Sequence, residues 1–347
     1  MEELRRLLSE HLERYPQLTA QDLAKLIYQN EFGSGHFIND EEASLARLQE
    51  EVKGLKYIPG DRFEDIGNGL VRLHLQALGD SLSLQTVNRL FVLTAAQKRG
   101  SMKGFEAKLA ALREFCPAAD LDSFLAEYKE AGYPPMSHSP RYKEHYSPSY
   151  RVLCRFSALY FPVFERIERL LKANGSANVV AIDGRCSSGK SSLGQLLKDV
   201  YGCPVISMDD FFLQPEQRSV GRLAEPGGNI DYERFEREVK PKLKSGVAFR
   251  YQIYDCQQNA FALSPLVEPH RLTIVEGSYS HHPKLTEKYD LRIFLTVSPK
   301  VQEERLLERN GPALLERFVK EWIPLEERYF STLGIAQKSD LILDTGA

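Results

Sequence analysis

Cysteine is scarce and dispersed in this chain. The five residues, Cys116, Cys154, Cys186, Cys203 and Cys256, are odd in number and include no Cys-x-x-Cys pair. Neither a disulfide framework nor a zinc site is expected from them. No apolar run approaches the roughly 18 residues of a membrane helix, so no membrane partner is expected. Charge of one sign is also missing. Lys and Arg total 45 against 48 Asp and Glu, a net charge of -3, which gives no electrostatic reason to expect DNA or RNA. The opening Met1-Glu-Glu-Leu-Arg-Arg carries both signs and no apolar core, so no signal peptide is expected. A reducing cytoplasm is the simplest home for such a chain. Internal repeats and low-complexity tracts are absent too.

What is present is ordinary for a soluble globular protein: 42% hydrophobic and 27% charged residues. The length of 347 residues exceeds one ordinary domain and predicts two. Residues 1–172 read as mostly helical. Leu4, Leu7, Leu8 and Leu12 recur at helical spacing, as do Leu23, Leu26 and Ile27, with Thr19 and Asp22 as a loose capping signal. Leu84 to Gln97, Phe105 to Phe115 and Phe156 to Lys172 predict further helices, the last with Pro162 near its start. Gly132 to Tyr150, rich in Pro, Ser, Tyr and His, predicts an ordered loop.

The polar stretch Ala173-Asn-Gly-Ser-Ala-Asn178 marks the expected boundary, with a second domain over 177–347. There the pattern changes. Val179 to Asp183, Val205 to Ser207, Leu272 to Val275, Leu291 to Val297 and Leu341 to Leu343 are short apolar runs, as for strands buried on both faces. Helical segments separate most of them: Ser191 to Val200, Tyr232 to Lys244 and Pro299 to Arg309. The alternation predicts an α/β domain, a parallel sheet flanked by helices.

Gly184-Arg185-Cys186-Ser187-Ser188-Gly189-Lys190-Ser191 satisfies G-x-x-x-x-G-K-[ST] in full, and Ser192 follows it. Its glycines let successive N–H groups point at phosphate oxygens, and the next helix adds its positive N-terminus. Lys190 would reach the β- and γ-phosphates of ATP, and Ser191 would hold Mg²⁺. A chance match in a chain this long arises on the order of once in a hundred. The apolar strand before the loop and the Leu193, Leu196, Leu197 helix after it argue against chance.

The second run ends in Ser207-Met-Asp209-Asp210-Phe-Phe. Strand C-termini line the ligand crevice of a parallel sheet. Asp209 there can accept a proton from an attacking hydroxyl and bind Mg²⁺ directly or through water. Glu276, closing Thr273-Ile-Val-Glu276-Gly277, offers a second carboxylate for Mg²⁺. Arg305 and Arg309 lie four apart and share a helix face, with forks suited to a transferring phosphoryl group. A helix cap for Asp210 and surface salt bridges for the arginines are the bland alternatives.

These features, taken in order, resemble the uridine kinase and phosphoribulokinase family of P-loop kinases over about 170 residues. The set also includes Asn229-Ile-Asp231-Tyr-Glu-Arg-Phe235, Ile253-Tyr254-Asp255, Phe318-Val-Lys-Glu-Trp-Ile-Pro324 and Ser339-Asp-Leu-Ile-Leu343. The resemblance implies a general-base role for Asp209, a Mg²⁺-associated role for Glu276 and lid positions for Arg305 and Arg309. It implies acceptor contacts for Asp231 and Tyr254, with Asp210 nearby. The uridine kinases carry a histidine five residues after that tyrosine, and this chain has Asn259 there. Uridine or cytidine is therefore not assigned, and the acceptor is expected only to be a small molecule bearing a hydroxyl.

A nucleotide-driven switch or assembly ATPase, or a bifunctional enzyme, stays open as an alternative, although Asn-Lys-x-Asp is absent. ATP against GTP, and association into a homo-oligomer, stay open as well. In the first half, Glu31-Phe-Gly-Ser-Gly-His36 and His138-Ser-Pro-Arg141-Tyr142-Lys143-Glu-His145-Tyr146 stand out. The second mixes basic, imidazole and aromatic groups, as an anionic or sugar-like ligand would require. The first half is expected to help bind the acceptor or a regulator.

Overall fold

The computed structural model describes residues 1–35, 40–173 and 175–346, leaving aside the side chains of 118–120. His36, singled out in the sequence, lies outside the described residues. The chain divides into two compact units, Met1–Phe161 and Pro162–Ala347. The helix Phe161–Ala173 thus belongs almost wholly to the second unit, although sequence spacing groups it with the first. Its Phe164 and Ile167 are fully buried, and the Phe164 ring lies 6.3 Å from that of Tyr201 in the second unit. Among the described residues, no helix is long and apolar enough to cross a membrane.

The first unit is mostly helical, as its spacing predicts. Helix Glu2–Arg14 buries Leu4, Leu7 and Leu8, and helix Ala20–Phe32 buries Leu23, Leu26 and Ile27. Thr19 and Asp22 do form the capping box that fixes the start of the second helix. These leucines meet Phe105, Leu109 and Leu112 in one apolar core. The unit also holds a three-stranded antiparallel sheet that periodicity does not reveal: β1 (Phe63–Asp65), β2 (Leu70–His74) and β3 (Tyr150–Cys154), in the order β1-β2-β3. The expected loop at 132–150 contains a helix, Pro140–Tyr146. Ser139 caps it by accepting from the Tyr142 N–H, and Pro140 sits where its missing N–H costs nothing.

The second unit is the α/β domain. Its strands are β4 (Asn178–Gly184), β5 (Val205–Ser207), β8 (Leu272–Glu276), β9 (Leu291–Thr296) and β10 (Leu341–Asp344), with a separate hairpin of β6 (Gln252–Asp255) and β7 (Ala260–Leu263). The five-stranded sheet is wholly parallel in the order β10-β9-β4-β8-β5. Every residue of the central strand β4 is buried, which is why that strand reads as an unbroken apolar run. Helix Lys190–Tyr201 returns along the sheet with Leu193 and Leu197 inward. Beneath the strand ends, Ile206, Met208, Phe211, Phe235, Tyr251 and Tyr329 form the core. The expected helix from Tyr232 to Lys244 stops at Glu238 and gives way to turns.

Candidate active site

The chain leaves β4 through Gly184 at φ 143°, in the region that favours glycine. A Cβ there would lie 2.0 Å from the Leu295 carbonyl oxygen, so β9 leaves no room for a side chain. Asp183, fully buried just before the turn, anchors it. Its Oδ1 accepts from the Gly184 and Tyr279 N–H groups at 2.7 and 3.2 Å. Its Oδ2 accepts from the His281 N–H and the Tyr329 hydroxyl at 2.9 and 2.8 Å. On the other side of the loop, the Cys186 N–H donates to Glu326 at 2.9 Å, and the Ser278 hydroxyl donates to the same carboxylate at 2.6 Å. Burial, with Glu326 adding to it, pushes the Cys186 thiol up to about 12, so this cysteine takes part through its backbone rather than as a nucleophile.

Within the loop, Lys190 donates to the carbonyls of Gly184 and Arg185 at 2.8 and 2.9 Å, so its ammonium is held across the loop mouth. The hydroxyls of Ser187 and Ser188 are buried without a partner. Unpaired buried donors are costly, and beside a cradle of N–H groups they are the mark of an anion's place. Arg185 turns outward to Glu327 and to Thr296 at 3.2 Å. Ser192 is exposed in the first turn after Gly189.

The carboxylates converge on the same loop. Ser191 donates to Glu276 at 3.0 Å. This approach requires the helix to run close to β8, and Gly194 allows it: a Cβ there would stand 3.1 Å from Cγ of Glu276. Burial raises the Glu276 carboxyl above its usual range, the Ser191 and Ser207 hydroxyls pull it back, and Asp209 pushes it up again. Asp209 sits in the tight turn Met208–Phe211, where Met208 and Phe211 are fully buried. Residues one and four of the turn point into the core, and the two acids between them are left at the strand end. Solvent reaches Asp209, yet the surrounding protein raises its carboxyl, against the pull of Lys190 and Arg309. Neither Asp209 nor Asp210 caps a helix; Ser207 holds that position by accepting from the Asp209 N–H at 3.4 Å. The structure thus brings Lys190, Ser191, Asp209, Glu276 and Arg309 into one electrostatic neighbourhood.

The two arginines separate in role. Arg305 donates to the Ser187 carbonyl at 3.2 Å and to the Thr345 carbonyl at 2.6 Å, bracing the loop from the C-terminal strand. Thr345 completes the brace by donating to the Ser188 carbonyl at 2.9 Å. Arg309 donates to the neighbouring Asn310 side chain at 2.8 Å and lends its charge to Asp209. Two residues further, Gly311 at φ 75° and ψ 173° breaks the helix Pro299–Arg317.

The acceptor candidates form a second, connected group. Asp231 caps helix Tyr232–Glu238 and is paired with Arg234 at 3.4 Å and Gln217 at 3.0 Å. Arg234 also donates to the Asp210 carbonyl at 2.7 Å, while the Tyr251 hydroxyl donates to the Asp210 carboxylate at 2.7 Å. A cavity of about 840 Å³ is lined by Asp231, Arg234, Gln217, Arg222 and Phe261 among others. Tyr254 and Asn259 stand apart from its lining and hydrogen-bond to each other across the β6–β7 hairpin.

The residues fit Mg²⁺ better than a dedicated metal cage. Among the described residues, no group of three or more His, Cys, Asp or Glu is placed to hold a metal ion. Mg²⁺ needs no such group, since it keeps waters and binds through one or two carboxylates together with substrate phosphates. Ser191, Glu276 and Asp209 supply that smaller set.

A parallel sheet, a glycine-rich turn at the head of a helix and acids at the neighbouring strand ends define the second unit as an α/β P-loop domain. It resembles uridine kinase-like P-loop kinases for part of the chain. Among solved structures, the chain is similar to a protein provisionally described as a uridine kinase from Bacillus stearothermophilus. That likeness has 18% identity and a TM-score of 0.41, covering 53% of this chain and 100% of the other. A protein provisionally described as a fructose transport system kinase from Silicibacter sp. TM1040 has 24% identity and a TM-score of 0.42, with 54% and 97% covered. Shikimate kinase from Bacteroides thetaiotaomicron has 13% identity and a TM-score of 0.24, with 48% and 86% covered. No protein-family profile and no curated protein matches the chain.

Sequence reasoning missed Asp183, Glu326, Tyr329 and Thr345, all of which hold the loop. Only Asp183 left a signal, a charge at the end of an otherwise apolar strand. The other three arrive from distant segments with no motif of their own.

Proposed function

We propose that the chain is a kinase that uses Mg·ATP to phosphorylate a hydroxyl of a small molecule. The observation that carries this reading is the convergence of Lys190, Ser191, Glu276 and Asp209 on one loop mouth. A loop alone would bind a nucleotide; a carboxylate at the adjacent strand end gives it an acceptor chemistry. The attacking oxygen forms its bond to the γ-phosphorus as the bond to the β–γ bridging oxygen breaks. ADP leaves, and the hydroxyl proton passes to Asp209. Lys190 and Arg309 offset the charge on the moving group. Arg305 keeps the loop in register with it. Mg²⁺, when bound, supplies charge neutralisation at the β- and γ-phosphates.

The cavity beside Asp210 and Asp231 suits a polar acceptor. Its lining offers carboxylate, guanidinium and amide groups around one aromatic ring, a mixture fit for a polyhydroxylated or mildly charged metabolite.

The test is a metabolite screen for acceptor-dependent ADP release, with Asp209→Asn as control. One acceptor should raise ADP release well above the background without acceptor. The variant should bind ATP normally and lose transfer by about 10²–10⁴-fold. ADP release that no acceptor stimulates, or transfer unchanged in the variant, would reject the reading.

A further inference from the structure

The segment around His138 takes part in none of the chemistry above. It forms, with helix Ala20–Phe32, helix Glu41–Val52 and β3, the wall of a cavity of about 870 Å³ wholly within the first unit. That volume lies in the range of small-molecule sites, roughly 300–1,000 Å³. Its charge is one-sided. Among the described residues, Lys25, Arg47, Lys143 and Arg151 line it against a single carboxylate, Glu51. That carboxylate is already engaged, by Arg151 at 2.8 Å and by the Ser149 hydroxyl at 2.6 Å.

Lys25 is the unusual member. It is 8% exposed, and its ammonium donates to the Met136 carbonyl at 2.7 Å. Among the described residues it forms no ion pair, although a buried ammonium ordinarily needs one. Asp22, one turn away on the same helix, offsets only part of this cost, since burial and the repulsion of Arg72 outweigh it. Its oxygens already accept from Thr19, from both the N–H and the hydroxyl of Ser139, and from His138 Nδ1 at 3.0 Å. Because Nδ1 donates there, Nε2 accepts from the Tyr150 hydroxyl at 2.7 Å, and the imidazole stays neutral. Burial holds His138 down at about 4 and pushes Lys25 down to about 8, Arg72 adding its repulsion to the lysine. An anion in the cavity would relieve both the desolvation and the repulsion. Phe91, Met136 and Val152 give the same space an apolar side.

We propose that this cavity binds a small organic dianion, a phosphate monoester or a dicarboxylate, with the buried Lys25 ammonium and the outer Arg151 and Lys143 as its charge partners. The site is independent of the kinase reading, and its failure would leave that reading untouched.

Calorimetry on the full chain tests it, in a Lys190→Met background so that the phosphate loop does not compete for the probes. Phenyl phosphate, phthalate and the neutral benzyl alcohol are titrated in turn. At least one anion should bind with a Kd below about 1 mM and benzyl alcohol should not. Tighter binding of phenyl phosphate identifies a phosphate ester, and tighter binding of phthalate a dicarboxylate. Adding Lys25→Met should weaken the binding by about tenfold or more while the circular dichroism spectrum is unchanged. If that variant does not fold, Lys143→Met decides instead, since Lys143 is exposed; about a threefold loss is then expected. The proposal is overturned if neither anion binds, if benzyl alcohol binds as well as the anions, or if the deciding variant leaves the Kd unchanged.

Discussion

Glu64 in the first unit and Glu276 in the second are both buried acids, and they are held in opposite ways. In the first unit, Glu64 faces Arg72 at 2.9 Å, both side chains 3% exposed. Burial alone would push the Glu64 carboxyl up, but Arg72, then His11 and the Tyr15 hydroxyl, outweigh it and hold the group at about 2. Arg72 in turn gives two further donors to Gln29 at 3.1 and 2.7 Å and stacks 4.7 Å from the centre of the Tyr150 ring. In the second unit, burial raises the Glu276 carboxyl, Asp209 adds its repulsion, and among the described residues no guanidinium pairs with it. The difference separates two uses of buried charge. An acid whose pKa falls on folding has found its partner inside the protein. An acid whose pKa rises is waiting for one from outside, here a metal, a phosphate or a proton.

The contrast is tested most severely by Glu64→Gln. The substitution keeps the shape and leaves the Arg72 charge buried without its counter-ion. A loss of about 3–5 kcal/mol is expected for the first unit, read as a lowered midpoint in urea with an unchanged slope. A double variant with Arg72→Met should recover part of that loss, because it removes the stranded charge as well. If Glu64→Gln were nearly neutral, the pair would be no more than an incidental contact.

The sequence displayed the second unit far better than the first, for physical reasons. Its inner strands β4, β8 and β9 are largely buried on both faces, so each appears as a continuous apolar run, and its loop is a contiguous octapeptide. The sheet of the first unit depends on pairing Leu70–His74 with Tyr150–Cys154, some eighty positions apart, and on a three-residue strand too short to show a period. The helix Pro140–Tyr146 hides because six of its seven residues are polar or aromatic and Tyr142 alone is buried, so no apolar stripe shows. Within the site, Lys190, Ser191, Asp209 and Glu276 were legible because each ends or follows a recognisable strand. The bracing role of Arg305 was not, since helical spacing pairs it with Arg309 while tertiary packing ties it to Thr345.

Acid titration sharpens the comparison at intermediate cost. His138 in the folded first unit holds at about 4, below its ordinary 6.5, so the unfolded chain takes up that proton first. Stability is then fully present above about pH 6.5 and lost progressively as the pH falls toward 4. The shift corresponds to about 3 kcal/mol, and below pH 4.5 the ionised Glu64 begins to lose its share as well. His282 in the second unit is also held at about 4, so a global melting curve would mix the two. Hydrogen exchange in the helix Pro140–Tyr146 isolates the first unit. Its protection should decline between pH 6.5 and 4, and His138→Gln should flatten that decline.

The smallest expected effect carries the opposite sign. Glu276 is 5% exposed and its folded pKa is raised, so its ionised form weighs against the fold at every pH above its ordinary 4.5. Replacing it with glutamine removes the charge and keeps an oxygen to accept from Ser191. Without nucleotide, the Glu276→Gln protein should therefore be more stable by about 1 kcal/mol, a rise of roughly 2–4 °C in Tm for a unit of this size. Adding Mg·ATP should reverse the order. The wild-type carboxylate then finds the partner it lacks and gains stability by binding, and the amide does not. Calorimetric scans with and without Mg·ATP read both halves of the statement. A variant less stable than wild type in the absence of nucleotide would mean that Glu276 is already satisfied within the fold, like Glu64, and would remove the distinction between the two kinds of acid.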